Sequence, residues 1–121
     1  MNQFGFSEET WNAAKREVIE ILSQRARRGI PIAYSDLVSK LRSVQLEARD
    51  TRLFHLLGEV STDEHGSGRG MLSVMVVHKD GDMRPGPGFF ELAEHLGHHV
   101  TDLDRFWIEE FRRVHDYWRQ H

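Results

Sequence analysis

The sequence predicts a mostly helical α+β domain occupying residues 1–121 as a single unit, with a short sheet or hairpin and two additional C-terminal helices. Three observations predict it. Apolar residues recur at helical spacing in five stretches, most of them opened by a capping side chain. One run, Met71 to His78, is apolar except at Ser73 and is bounded by Gly70 and Asp80-Gly81, as a strand covered on both faces would be. The length of 121 residues suits one compact domain, and neither a repeat nor a linker divides it.

The first helix is expected over residues 8–28. Ser7 is its N-cap, Glu8 and Glu9 sit at the positive end of the dipole, and Phe6 and Trp11 hold the two positions of a hydrophobic staple. Trp11, Ala14, Val18, Ile21 and Leu22 form the inner stripe; Arg25, Arg27 and Arg28 complement the dipole in the last turn, and Gly29 stops the helix. Ile30 to Tyr34, marked by Pro31, reads as a short edge strand. Ser35-Asp36 opens a second helix with Leu37, Val38 and Leu41 inward. Asp50 or Thr51 caps a third, with Leu53, Leu56, Leu57 and Val60 buried, and Ser61 to Gly70 reads as a loop. After the Met71–His78 strand, Asp80-Gly81 is a hairpin-turn dipeptide and Pro85-Gly86-Pro87-Gly88 an irregular crossover. Helical spacing resumes from Phe89 to Leu96 and stops at Gly97. A last helix starts at Thr101, with Leu103, Trp107, Phe111, Val114 and Trp118 on one face. So aromatic a stripe must pack on the domain or on a second copy, which makes a homodimer through this helix one expectation.

Composition narrows the function. With no cysteine, disulfides, thiolate nucleophiles and cysteine-bound metals are excluded. No apolar run reaches the ~18–20 residues of a membrane span, and the polar start is no signal peptide, so a cytoplasmic protein without membrane contact is expected. The net charge of −3 is unevenly spread: +3 over residues 11–30, zero over 31–60 and −4 over 61–121. Any electropositive surface therefore lies in the first half.

Residues 8–80 resemble a winged helix-turn-helix domain: helix, short strand, helix at Ser35-Asp36-Leu37-Val38, turn, helix from Asp50 to Val60, then strand and hairpin. The phrase Ile32-Ala33-Tyr34-Ser35-Asp36-Leu37 is typical of how such domains enter their second helix. The resemblance implies a winged-helix-like core, a third helix that reads nucleic acid with Arg49 and Arg52, and a wing at 78–85 offering Lys79 and Arg84. Arg27, Arg28 and Arg42 join Arg49 and Arg52 as phosphate contacts if the first three helices share a surface.

Eight histidines raise the question of catalysis or metal binding. His95, His98, His99 and Asp102 have ligand-like spacing, but Gly97 interrupts the segment and the helix end accounts for the histidines. His55 and Glu59 stand at i,i+4, the spacing of an acid–base pair and equally of any exposed helix face. The glycines of His65 to Gly70 follow a helix and precede a strand, the reverse of the order a phosphate loop needs. No catalytic residue, metal or cofactor is therefore assigned. The expectation is a non-enzymatic binding or regulatory module that contacts nucleic acid or a protein partner. The alternative is a small histidine- or metal-dependent enzyme built on His55, His95, His98 and His99.

Overall fold

The computed structural model describes residues 2–79 and 84–121, with side chains from Phe4 onward. The described residues are mostly helical, with two very small sheets. Strands β1 (Asn2–Gln3) and β2 (Phe6–Ser7) pair antiparallel across a two-residue turn in which Phe4 and Gly5 both have positive φ. Helix α1 (Glu8–Arg28) follows, capped by the Ser7 hydroxyl, which accepts the Thr10 N–H at 3.1 Å. Phe6 stacks on Trp11 with ring centroids 6.3 Å apart, the staple that the sequence predicts. Gly29 ends the helix at φ 69°, where its N–H and that of Ile30 close onto the Ala26 and Arg25 carbonyls.

Strand β3 (Ile32–Ala33) leads directly into α2 (Tyr34–Lys40). A ten-residue connection then reaches α3 (Thr51–Gly66), whose N-cap Asp50 accepts the Arg52 N–H at 2.9 Å. The connection is no free loop. Leu41, Val44 and Leu46 are buried, and Glu17 in the middle of α1 accepts the Arg42 and Ser43 N–H groups at 2.9 and 2.8 Å. A short 3-10 helix (Leu72–Met75) precedes β4 (Val76–Val77), and α4 (Pro87–His95) and α5 (Leu103–Arg119) complete the chain. The core gathers Trp11, Val18 and Leu22 of α1, Leu53, Leu56 and Val60 of α3, and Met71 to Val76, with α5 closing it through Val114.

Several elements differ from the sequence expectation. Residues 61–66 continue α3 rather than forming a loop, because their polar side chains have internal partners. The buried Ser61 and Ser73 hydroxyls lie 2.6 Å apart, and the buried Glu64 carboxylate pairs with Arg69. Nor is the run from Met71 to His78 one strand: its first half turns into the 3-10 helix and only Val76–Val77 pairs, parallel to β3, with Ile32 opposite Val76. Burial on every side makes a central segment read as a strand whatever its backbone does. The expected turn at Asp80-Gly81 lies outside the described residues, but its base is closed by the His78 N–H, which donates to the Arg84 carbonyl at 2.9 Å.

Pro87, at the first position of α4, starts that helix two residues earlier than its apolar pattern suggests. Helix α5 starts at Leu103 rather than Thr101, with Asp102 as its cap instead of a first-turn residue. Leu103, expected inward, is 45% exposed, and Phe106 packs in its place against Phe89, Phe90 and His98.

Candidate functional site

The outward side of α3 is where an unusual set of side chains collects. Leu53, Leu56, Leu57 and Val60 occupy the inner side of this helix, so 3.6-residue geometry turns Thr51, Phe54, His55 and Thr62 outward. Phe54 is 44% exposed. Its ring meets the edge of Tyr34 with centroids 6.1 Å apart, and Tyr34 in turn lies 4.8 Å from the ring of His78. Three elements thus supply one aromatic group: the start of α2, the first turn of α3 and the end of β4.

The group is held by its backbone. The Gly86 N–H donates to the Tyr34 hydroxyl at 3.2 Å, and a Cβ on Gly86 would stand 2.9 Å from His78 Nε2, so a larger residue here would displace the His78 ring. Burial pushes the Tyr34 phenol above its usual range, against the opposing effect of the Gly86 N–H, and keeps it protonated at neutral pH. Beside the aromatics, a groove of about 520 Å³ runs between α3 and α4. Gly58, Phe54 and Thr62 line one side, Phe89, Leu92 and His95 the other. Lys15 of α1 reaches the rim, where it pairs with Asp63 at 3.1 Å and Glu59 at 3.5 Å.

The cations named from the sequence are distributed as follows. Arg49, exposed just before α3, has no ion-pair or hydrogen-bond partner among the described residues. Arg52 forks onto Asp50, with Nη2 2.8 Å from Oδ2, and its guanidinium lies 5.1 Å from the centre of the Phe6 ring. Those hydrogen bonds hold the Asp50 carboxyl below its usual range. Arg42 is exposed on the connection and lines the same shallow hollow as Phe6. Lys79 is exposed next to His78, whereas Arg84 pairs with Asp104 of α5 at 2.8 Å.

Arg27 and Arg28 lie apart from these. Arg27 covers Trp118 at the far end of α1, and 21 helical residues put that end about 30 Å from Phe6 and Arg52. The structure therefore brings Arg42 and Arg52 both into the neighbourhood of Phe6 and leaves Arg27 and Arg28 toward the other end of α1.

The histidines named for catalysis separate as well. His55 stacks on Phe4 at 4.6 Å, while Glu59 accepts the Trp11 indole N–H at 3.1 Å. His98 packs on His65 and Phe106, and His95 lines the groove. Among the described residues, no three His, Asp or Glu side chains come together as a metal site. Phe54, Tyr34 and His78 were not legible as a group in the sequence. The one available signal is Phe54, an aromatic residue on the polar side of an otherwise well-patterned helix.

No family model matches the chain, and no solved structure matches it. The exotoxin PaxA of Pasteurella aerogenes is 33% identical over 102 residues, an alignment that takes in 79% of this chain and 9% of the toxin. The chain thus spans less than a tenth of that relative's length, so the likeness is to one segment of a much longer protein.

Proposed function

We propose that this chain is a non-enzymatic binding module with a winged-helix-like core, and that it contacts nucleic acid through the outward face of α3. The observation that carries the reading is the aromatic group of Phe54, Tyr34 and His78, with exposed Arg49 just before α3 and exposed Lys79 next to His78 in the chain. An exposed aromatic flanked by cations offers a stacking platform and phosphate contacts together. Supporting the core assignment, β3 pairs with β4, α2 and α3 follow in order, and the segment after β4 is closed at its base like a wing. The toxin likeness adds that a segment of this kind can stand inside a far larger protein, as a binding module can.

The test is binding of labelled single- and double-stranded oligonucleotides over a range of salt. Binding is expected to weaken with salt, and the double change Arg49→Ala with Arg52→Ala to reduce both affinity and the salt slope, by about one unit for each phosphate no longer neutralised. Changing Arg27 and Arg28 is expected to alter neither. Phe54→Ala should weaken binding at every salt concentration, at about 1–3 kcal/mol for a stacked base. Salt-independent or absent binding overturns the reading. A second reading, a protein segment seated between α3 and α4, is favoured by the apolar lining of Leu57, Phe89 and Leu92 in the groove. It predicts that Leu92→Asp, rather than Arg49→Ala, abolishes partner binding.

A further inference from the structure

The connection from α4 to α5 is fastened to α3 by a pair of histidines. The rings of His65, near the end of α3, and His98, just beyond α4, meet edge to face with centroids 5.1 Å apart. On its other side His98 lies 5.1 Å from the ring of Phe106, in the first turn of α5. His98 Nε2 is buried and has no hydrogen-bond partner among the described residues. A neutral imidazole tolerates that position, whereas a cation there has neither water nor an acceptor.

The surrounding charges act in both directions. From α5, Glu110 faces the pair with favourable charge, but one of its oxygens is committed to Arg113 and the other to the Met71 N–H. Arg113 and His65 oppose a proton on His98. On α3, Glu64 is turned to Arg69, and on the outer side of the connection His99 and Asp102 lie with Arg105 and Glu109 around a separate hollow. Burial above all, then His65 and Arg113 against the pull of Glu110, hold the His98 imidazole below its usual range.

We propose that His65 and His98 form a proton-operated latch, closed while the His98 ring is neutral and released in mild acid, when a proton on His98 frees the α4–α5 connection from α3. The sign follows from where the proton binds better. A histidine depressed in the closed form protonates more readily in the open form. Closure is therefore complete above the ordinary histidine range and is lost as the pH falls through it. Release loosens α4, which carries one wall of the groove through Phe89, Leu92 and His95, whatever that groove binds.

Hydrogen exchange of the full chain at pH 7.5 and 5.5, corrected for the intrinsic rate, tests the latch. The amides of Leu96, His98 and Phe106, which bond to the Leu92, Ala93 and Asp102 carbonyls, are expected to lose protection in acid. With one linked proton, the loss reaches up to about tenfold per pH unit. The amides of α1 are expected to keep theirs. His98→Phe, which retains an aromatic ring against Phe106, should abolish the pH dependence. In the unaltered protein, NMR titration should show His98 protonating below the ordinary histidine range, a second readout that does not depend on the variant folding. Equal protection at both pH values, a pH-dependent loss that survives in His98→Phe, or His98 titrating within or above the ordinary histidine range would each overturn the proposal.

Discussion

Gly70 adopts φ +89°, and a Cβ placed there would stand 2.9 Å from Val114 Cγ2 and 3.2 Å from Glu110 Oε2. Backbone conformation and the close approach of α5 both demand glycine. Gly58, midway along α3, is the opposite case: an added Cβ would meet nothing within 4 Å, and its backbone is helical. Glycine inside a helix costs about 0.5–1 kcal/mol relative to alanine, so no packing in this chain explains its presence. Gly58→Ala is expected to raise stability by about that amount and Gly70→Ala to lower it by about 2 kcal/mol or more, as read from urea denaturation midpoints. A sequence does not distinguish the two, since a glycine carries no sign of what lies opposite it. Glu110 shows the same limit: on a helix it reads as a surface charge, yet it is 1% exposed because the Met71 N–H and Arg113 turn it inward.

Among the elements, the ten-residue connection between α2 and α3 depends most on one distant side chain. Glu17 accepts two of its backbone N–H groups from the middle of α1. Burial acts to raise the Glu17 carboxyl, but the hydrogen bonds from Ser43 and Arg42 outweigh it and leave the group below the ordinary 4.5. A depressed carboxyl stabilises the fold above its unfolded pKa, and that contribution is lost as the pH falls through the lower folded value. Glu17→Ala is expected to cost about 1–3 kcal/mol near neutral pH. The difference between the two proteins should shrink in acid, where the native carboxyl is protonated. Denaturation curves at pH 7 and 3 measure this, and a difference equal at both would show that the anchor does not act through its charge. Helix α1 was legible residue by residue because cap, staple and stop all lie next to one another in the chain. The end of α3 was not, because its polar residues are satisfied from positions far along the sequence: Ser61 by Ser73.

For the molecule as a whole, α5 is the closing piece. It lies along α1, where His115 Nδ1 meets the Ala26 carbonyl at 2.6 Å and Trp118 lies under Arg27. It also reaches the buried segment before β4 through Glu110, 2.7 Å from the Met71 nitrogen. Glu110→Ala leaves that buried N–H without an acceptor and is expected to cost about 2–4 kcal/mol, whereas Glu110→Gln keeps an acceptor and should cost less. Thermal and chemical denaturation compare the two, and equal losses would show that the hydrogen bond is not what fastens the helix. With α5 seated, its aromatic stripe of Trp107, Phe111 and Trp118 packs against the core of its own chain. Among the described residues, no helix is long and apolar enough to cross a membrane.

The sequence by itself determined the helical character, the start and stop of α1 and the apolar inner stripes of α1 and α3. Those features depend on residues a few positions apart and on a 3.6-residue period. Tertiary structure alone decided that β3 and β4 pair in parallel, that Met71 to Met75 turns instead of extending, and that Glu64 and Glu110 are interior. It alone also gathered Tyr34, Phe54 and His78, residues from three elements, around one point. The physical reason is common to all of these: each depends on a contact between residues far apart in the chain, and local patterning carries no record of which distant group will answer a buried charge, a free N–H or an aromatic edge.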